Sequence, residues 1–131
     1  MDNGKKKRII RDMEKKTLPL YIASIALSNG EVYGYDVMKS LRKSHGGTGL
    51  SPSEVYPRLI EMEKEGLLSS DIVLVKGRGR RLYKPTEKTR EMVVTYKSAL
   101  NMNIIALNNV IPEDVTIGAI PLQTVSTKNR K

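Results

Sequence analysis

The most constraining feature of this sequence is a helix-start signal near residue 51 that is followed closely by two β-prone segments. Ser51, Pro52 and Glu54 fit a capping box with serine at the N-cap, proline at the first helical position and glutamate reaching back to the N-cap amide. The helix is predicted to continue to about Glu65, since Gly66 follows as a stop signal. Its core stripe is predicted to consist of Val55, Leu59 and Met62.

Two short strands are predicted after this helix, at residues 71–75 and 81–84, because the first segment is β-branched and the second alternates. The intervening residues are Lys76, Gly77, Arg78, Gly79 and Arg80. Their two glycines predict a hairpin tip that carries three cations.

Two further helices are predicted before the capped one. Thr17 followed by Pro19 favours a helix start at residue 17, and a nearly continuous apolar run up to Gly30 indicates a buried helix. A second helix is predicted from Gly34 to about His45, where a glycine-rich stretch breaks it. We interpret His45, the only histidine, as a helix-end residue and not as a ligand or catalytic base.

A last helix is predicted from about Thr86 to Asn109. Its apolar stripe consists of Val93, Tyr96, Leu100, Ile104 and Leu107. Because the first three helices already fill a small domain, we expect this stripe to be buried against a second copy of the chain. The tail leaves three alternatives open: it extends the dimer interface, contacts DNA through Lys128, Arg130 and Lys131, or is disordered.

The order of these elements predicts a mainly α-helical fold with a small β-hairpin, a winged helix-turn-helix joined to a C-terminal dimerisation helix. We expect four segments: a basic arm or short helix at 1–16, the winged helix-turn-helix at 17–85, the dimerisation helix at 86–109, and a tail of uncertain structure at 110–131. This layout is suited to binding DNA, because an α-helix can enter the major groove while a basic hairpin reaches phosphates or the adjacent minor groove.

The amount and the distribution of positive charge in the sequence favour a polyanionic binding partner. The net charge is +9, of which residues 1–16 carry +4 and residues 76–90 carry +6. For the four cations at residues 5–8, a solvated tail is as good an interpretation as a DNA contact.

The composition also excludes several classes of function. The chain has no cysteine, so we expect no disulfide, zinc–thiolate site or thiol catalysis, and no catalytic arrangement of side chains stands out. We therefore expect no enzyme activity, no cofactor and no metal. No apolar run is long enough to cross a membrane, and we expect a cytoplasmic protein with no membrane partner.

Four segments together resemble the PadR-like transcription regulators, in particular the branch with a single C-terminal helix. They are GYDVMKSL at 34–41, SEVYPRLIEMEKEGLL at 53–68, GRGRRLYKPTEK at 77–88, and Arg90. The resemblance covers about residues 17–109 and departs from the family pattern at Tyr33, Pro85 and Thr89. It implies a homodimer that binds a palindromic operator in double-stranded DNA and usually represses. Members of this family can respond to small aromatic ligands near the dimer interface, but with no Phe or Trp the sequence nominates no pocket for an effector.

The candidate DNA contacts lie on three elements. They are Ser51, Ser53, Tyr56 and Arg58 on the third helix, Lys76, Arg78, Arg80 and Arg81 on the hairpin, and Lys39 and Arg42 on the second helix. Alternatives stay open for several: Tyr56 packs on a neighbouring helix, Arg58 is merely solvated, and the second-helix cations form a plain solvated face. Strand alternation prevents Arg80 and Arg81 from pointing the same way, so we expect one of them to brace the hairpin.

Two other functions fit the same features. One is a nonspecific or architectural nucleic-acid-binding protein that relies on charge alone. The other is a winged-helix module whose basic surface binds an acidic protein.

Overall fold

The computed structural model describes residues 1–44 and 50–115. Its elements are α1 (Asn3–Asn29), β1 (Val32–Tyr33), α2 (Gly34–Ser44), α3 (Pro52–Lys64), β2 (Leu68–Val75), β3 (Arg78–Pro85), α4 (Glu87–Val110) and a short 3₁₀ helix (Glu113–Val115). The chain divides into two compact units, residues 1–93 and 94–131. His45 and the basic residues Lys128, Arg130 and Lys131, whose roles were predicted from sequence, lie outside the described residues.

The first helix is longer than the sequence predicted. α1 begins at Asn3 and runs through position 17, so the predicted start at Thr17 was wrong. The N-cap is Asp2, whose carboxylate accepts a hydrogen bond from the Lys5 amide at 2.8 Å. The Thr17 hydroxyl instead donates to the Met13 carbonyl at 2.9 Å. A threonine hydroxyl can either cap a helix or bond to a carbonyl one turn back inside it. The residue type alone therefore did not distinguish a helix start from a helix interior at Thr17.

The other helices follow the sequence signals. α2 begins at Gly34 as predicted, and α4 spans Glu87–Val110, close to the predicted limits. The capping box of α3 is present, and the Glu54 carboxylate accepts a hydrogen bond from the Ser51 amide at 3.2 Å. Local capping chemistry therefore fixes where α3 begins.

The three strands form one antiparallel sheet in the order β1-β3-β2. Both hairpin strands are longer than predicted, and the two-residue β1 was not predicted at all. The turn consists of Lys76 and Gly77 alone, with φ angles of 51° and 79°. Positive φ at both positions matches the twist of a two-residue hairpin, which lets pairing continue up to Val75 and Arg78. We call the β2–β3 hairpin the wing.

The hydrophobic core lies within residues 1–93 and joins three helices to the sheet. It consists of Leu18, Ile22, Ala23, Ala26, Val32, Val37, Met38, Leu41, Leu50, Val55, Leu59, Met62, Leu68 and Tyr83. The predicted stripe of α3 is fully buried in it. This packing fixes which side of α3 faces outward.

Two threonines attach the start of α4 to the turn between α3 and the wing. The Thr86 hydroxyl donates to the Gly66 carbonyl at 2.7 Å, and the buried Thr89 hydroxyl donates to the Leu67 carbonyl at 2.8 Å. Thr89 also accepts from the Thr86 amide at 2.7 Å. In the part of the chain that the structure describes, no helix is long and apolar enough to cross a membrane.

Candidate nucleic-acid interface

The side of α3 that points away from the core carries four exposed residues, which we call the outward face. They are Ser53, Pro57, Ile60 and Lys64. Their spacing of four, three and four residues places them on one side of a helix, opposite Val55, Leu59 and Met62. Of the predicted contacts on this helix, Ser53 therefore lies on the outward face, where its hydroxyl is 2.8 Å from that of Ser51.

The other two predicted contacts on α3 lie on its flanks. The Arg58 guanidinium pairs with the Glu61 carboxylate at 2.8 Å, and its side chain borders a small pocket shared with Lys15 and Leu18 of α1. Tyr56 lies on the opposite flank, partly exposed, beside the first residues of α2. The helix thus presents neither residue at the centre of its exposed side.

The N-terminus of α3 is also tied to α1. Glu54 accepts a charged hydrogen bond from Arg11 at 2.5 Å and has Lys15 3.7 Å away. Two of the basic residues in the first helix therefore partly neutralise the carboxylate that caps α3. This contact was not predictable from local sequence, because 43 positions separate Arg11 from Glu54.

The wing separates its arginines onto two faces of the sheet, as strand alternation requires. Arg81 donates a hydrogen bond to the Ser70 hydroxyl at 2.9 Å, and its guanidinium is 3.9 Å from the Glu63 carboxylate of α3. Ser70 in turn donates to Glu63 at 2.7 Å. Arg81 is therefore the arginine that braces the wing against α3, while Arg80 is exposed on the other face.

The remaining predicted cations are exposed. Arg78 lies on β3 two residues before Arg80, and Lys76 lies in the turn. On α2, Lys39 has its ammonium 5.6 Å from the centre of the Tyr35 ring, and Arg42 lies one turn further along the helix. Arg78 and Arg80 share one face of a short strand, so the structure concentrates positive charge on the wing.

Because β1 pairs only with Leu82 and Tyr83, the rest of that edge of β3 is free. A groove of about 560 Å³ lies beside this free edge. Its lining consists of Tyr33, Gly34, Tyr35, Tyr56, Ile60, Arg80, Arg81 and Tyr83. Burial raises the pKa of the Tyr83 hydroxyl, while the nearby Arg81 charge acts in the opposite direction. We call this the tyrosine groove.

Sequence reasoning missed several residues of this surface. Tyr33, Tyr35 and Ile60 were not nominated, although two tyrosines flanking a glycine at a helix start were a visible signal. Ile60 was missed because an apolar residue on a helix is ordinarily assigned to the core. Among residues 1–44 and 50–115, no cluster of acidic residues or histidine is placed to hold a metal ion.

The predicted dimer residues on α4 differ in exposure. Val93 packs against the core of the first unit, whereas Ile104 and Leu107 are exposed. Tyr96 and Leu100 are half-buried. The exposed apolar residues of α4 also include Val94, Met102 and Val110.

Comparison with known proteins identifies the family. Residues 24–93 match the model of the transcriptional regulator PadR-like family. The transcriptional regulator Rv3488 of Mycobacterium tuberculosis (strain ATCC 25618 / H37Rv) is 34% identical over 91 residues, which span 70% of this chain and 82% of that protein.

Solved structures show the same fold. The PadR-like transcriptional regulator of Bacillus cereus strain ATCC 14579 is 34% identical, with a TM-score of 0.63 over 76% of this chain and 95% of that one. Bacillus subtilis PadR, solved in complex with operator DNA, is 20% identical, with a TM-score of 0.56 over 61% of this chain and 45% of that one. The capped α3, the winged-helix architecture and these matches agree, and the chain belongs to the transcriptional regulator PadR-like family.

Proposed function

We propose that this protein is a sequence-specific, dimeric transcriptional repressor that binds a palindromic operator in double-stranded DNA. In this proposal α3 enters the major groove and the wing contacts the phosphate backbone or the adjacent minor groove. The observation that carries the proposal is that Ile60 of the outward face and the exposed Arg80 of the wing line one groove. As a member of a family of transcriptional regulators, the protein is a regulator and not an enzyme.

The shape of DNA supports this arrangement. A major groove about 12 Å wide admits one α-helix, whose exposed side chains then meet the edges of the bases. The B. subtilis PadR complex shows that a protein of this fold binds operator DNA. We extend that mode of binding to this chain, which matches the family in residues 24–93.

Each candidate residue receives a role from its position. Arg78, Arg80 and Lys76 bind phosphates, since they are exposed cations on the wing. Ser53 and Tyr56 contact the DNA from α3. Ser51 caps the N-terminus of α3, where the helix dipole favours a phosphate.

Three cations have lesser roles in this proposal. Lys39 and Arg42 add backbone contacts from α2, and Arg58 contributes positive charge from the flank of α3 although its ion pair with Glu61 reduces that contribution.

Dimerisation is proposed from the exposed apolar residues of α4. Ile104 is 41% exposed and Leu107 is 58% exposed, and such side chains gain free energy when a second copy of the chain covers them. The first half of α1 has exposed apolar residues of its own, namely Ile9, Ile10 and Met13. A twofold dimer would place two copies of α3 about one helical turn apart, roughly 34 Å, on a palindrome.

A regulator of this kind acts where the genome lies, so we propose a cytoplasmic location.

Selection from a random library of double-stranded DNA, followed by footprinting of the selected sequence, tests the proposal. We expect a palindrome with two symmetric protected half-sites. Equal competition by unrelated DNA would instead indicate a nonspecific or architectural protein. Absence of any DNA binding, combined with binding to an acidic protein, would favour the interaction module.

A further inference from the structure

The outward face of α3 carries no arginine, asparagine or glutamine, which are three of the side chains that form paired hydrogen bonds with bases. α3 contains no asparagine or glutamine, and its single arginine, Arg58, lies on a flank and pairs with Glu61. Two of the four residues of the outward face, Pro57 and Ile60, are apolar. Ile60 is 50% exposed, in a helix that already buries a complete core stripe on its other side. Half of the surface that the helix offers the DNA is therefore nonpolar.

One chemical group in the major groove suits such a surface. Base edges there present hydrogen-bond donors and acceptors, and thymine alone adds an apolar C5-methyl group. We propose that Pro57 and Ile60 recognise thymine methyl groups, so that each operator half-site contains thymine at the positions beneath α3. This inference rests on the proposed function, because it assigns a base preference to the same surface.

The surroundings of Ile60 favour DNA over a protein as the occupant of this surface. Ile60 borders the tyrosine groove on one side, and on the other a small pocket that it shares with Lys64, Arg81 and the Arg81-paired Glu63. Residues 76–90, which include the wing turn and β3, carry a net charge of +6. An apolar patch next to concentrated positive charge complements a methyl-bearing groove flanked by phosphates.

The size of the expected effect follows from burial of a methyl-sized group. Losing one such contact changes affinity by about fourfold, equivalent to about 0.8 kcal/mol. Replacement of thymine by deoxyuridine removes the methyl and leaves every hydrogen-bonding atom in place, so it isolates this contact.

The experiment starts from the selected duplex and replaces each thymine in a half-site by deoxyuridine, one position at a time. We expect the full-length protein to bind about fourfold more weakly at one or two positions. Ile60→Ala should bind the thymine duplex more weakly and should no longer distinguish thymine from deoxyuridine at one of these positions. Ile60→Val keeps an apolar contact and should retain most of the discrimination, which also guards against a variant that fails to fold.

A matched control removes an exposed isoleucine from elsewhere in the same unit. Ile72 lies on the wing and is 65% exposed, and thymine methyls line only the major groove. Ile72→Ala should therefore keep the full thymine preference.

Two results would overturn the inference while leaving the proposed function intact. One is a palindrome whose thymines all tolerate deoxyuridine, and the other is an Ile60→Ala variant with an unchanged preference. A selection that enriches no sequence would overturn both the inference and specific DNA binding. The two failures are therefore distinguishable.

Discussion

The ring of Tyr56 lies against the backbone of Gly34, so closely that a Cβ atom at position 34 would be 2.5 Å from the ring Cε1. This contact joins the first residue of α2 to the exposed flank of α3 and forms one wall of the tyrosine groove. Glycine is needed at position 34 for space and not for backbone conformation, since it is not among the glycines with positive φ.

Gly34→Ala should displace the Tyr56 ring and lower the free energy of unfolding by about 1–2 kcal/mol, because the added methyl overpacks the contact. In a Tyr56→Ala background the same substitution should be neutral or slightly stabilising, since alanine is favoured over glycine in a helix. Denaturant unfolding of the four proteins measures the coupling. Equal costs in both backgrounds would show that the ring is not the cause.

The wing arginines should separate into a DNA-binding residue and a bracing residue. Arg80→Ala should weaken DNA binding and reduce the salt dependence of log affinity by about one, with little change in stability. Arg81→Ala should instead lower the free energy of unfolding by up to about 1 kcal/mol, because it removes the partner of Ser70 and Glu63. Affinity titrations at several salt concentrations, together with unfolding curves, measure both effects. A loss of stability in Arg80→Ala together with a loss of salt-dependent affinity in Arg81→Ala would contradict the assignment of the two faces.

Thr89 should be important for the stability of the junction before α4. Thr89→Val keeps the shape but leaves the Leu67 carbonyl and the Thr86 amide without this partner, at a cost of about 1–3 kcal/mol. Thr89→Ser retains the hydroxyl and should lose much less. Thermal unfolding compares the two variants, and a valine variant as stable as the serine variant would argue against the hydrogen bonds.

The proposed dimer should depend on the exposed apolar residues of α4. Leu107→Glu places a charge where a second chain is expected to pack, so it should shift the protein toward monomer and weaken operator binding. Sedimentation across a concentration series measures the association. Glu91→Gln, at an exposed polar position of the same helix, serves as the control. A monomeric wild type, or a dimer unaffected by Leu107→Glu, would count against this interface.

Alkaline pH should destabilise the fold through Tyr83. Because burial raises its pKa in the folded state, its hydroxyl ionises more readily in the unfolded chain. The associated stability is present below the ordinary tyrosine pKa of about 10 and is lost as pH rises through the folded-state value. Tyr83→Phe should therefore lose less stability than wild type between pH 8 and pH 11 in unfolding experiments. Parallel losses in the two proteins would contradict a role for this hydroxyl.

Much of the fold was predictable because its signals are local. Ser51 and Glu54 specify the start of α3 through contacts three residues apart, and the spacing of Val55, Leu59 and Met62 defines its buried side. Lys76-Gly77 specifies the hairpin turn in the same way, although the strands extend further than their composition suggested. The predicted start of the first helix at Thr17 was wrong, because a threonine hydroxyl is suited both to a helix cap and to a helix interior.

The sequence by itself therefore determined the capped α3, the cationic hairpin and the family. Tertiary structure alone decided that Arg81 braces the wing, that Arg58 lies on a flank, and that tyrosines from separate elements line one groove. The physical reason is distance along the chain. Arg81 and Glu63 are 18 positions apart, and whether they meet depends on strand register and on the packing of α3 against the core, not on local sequence.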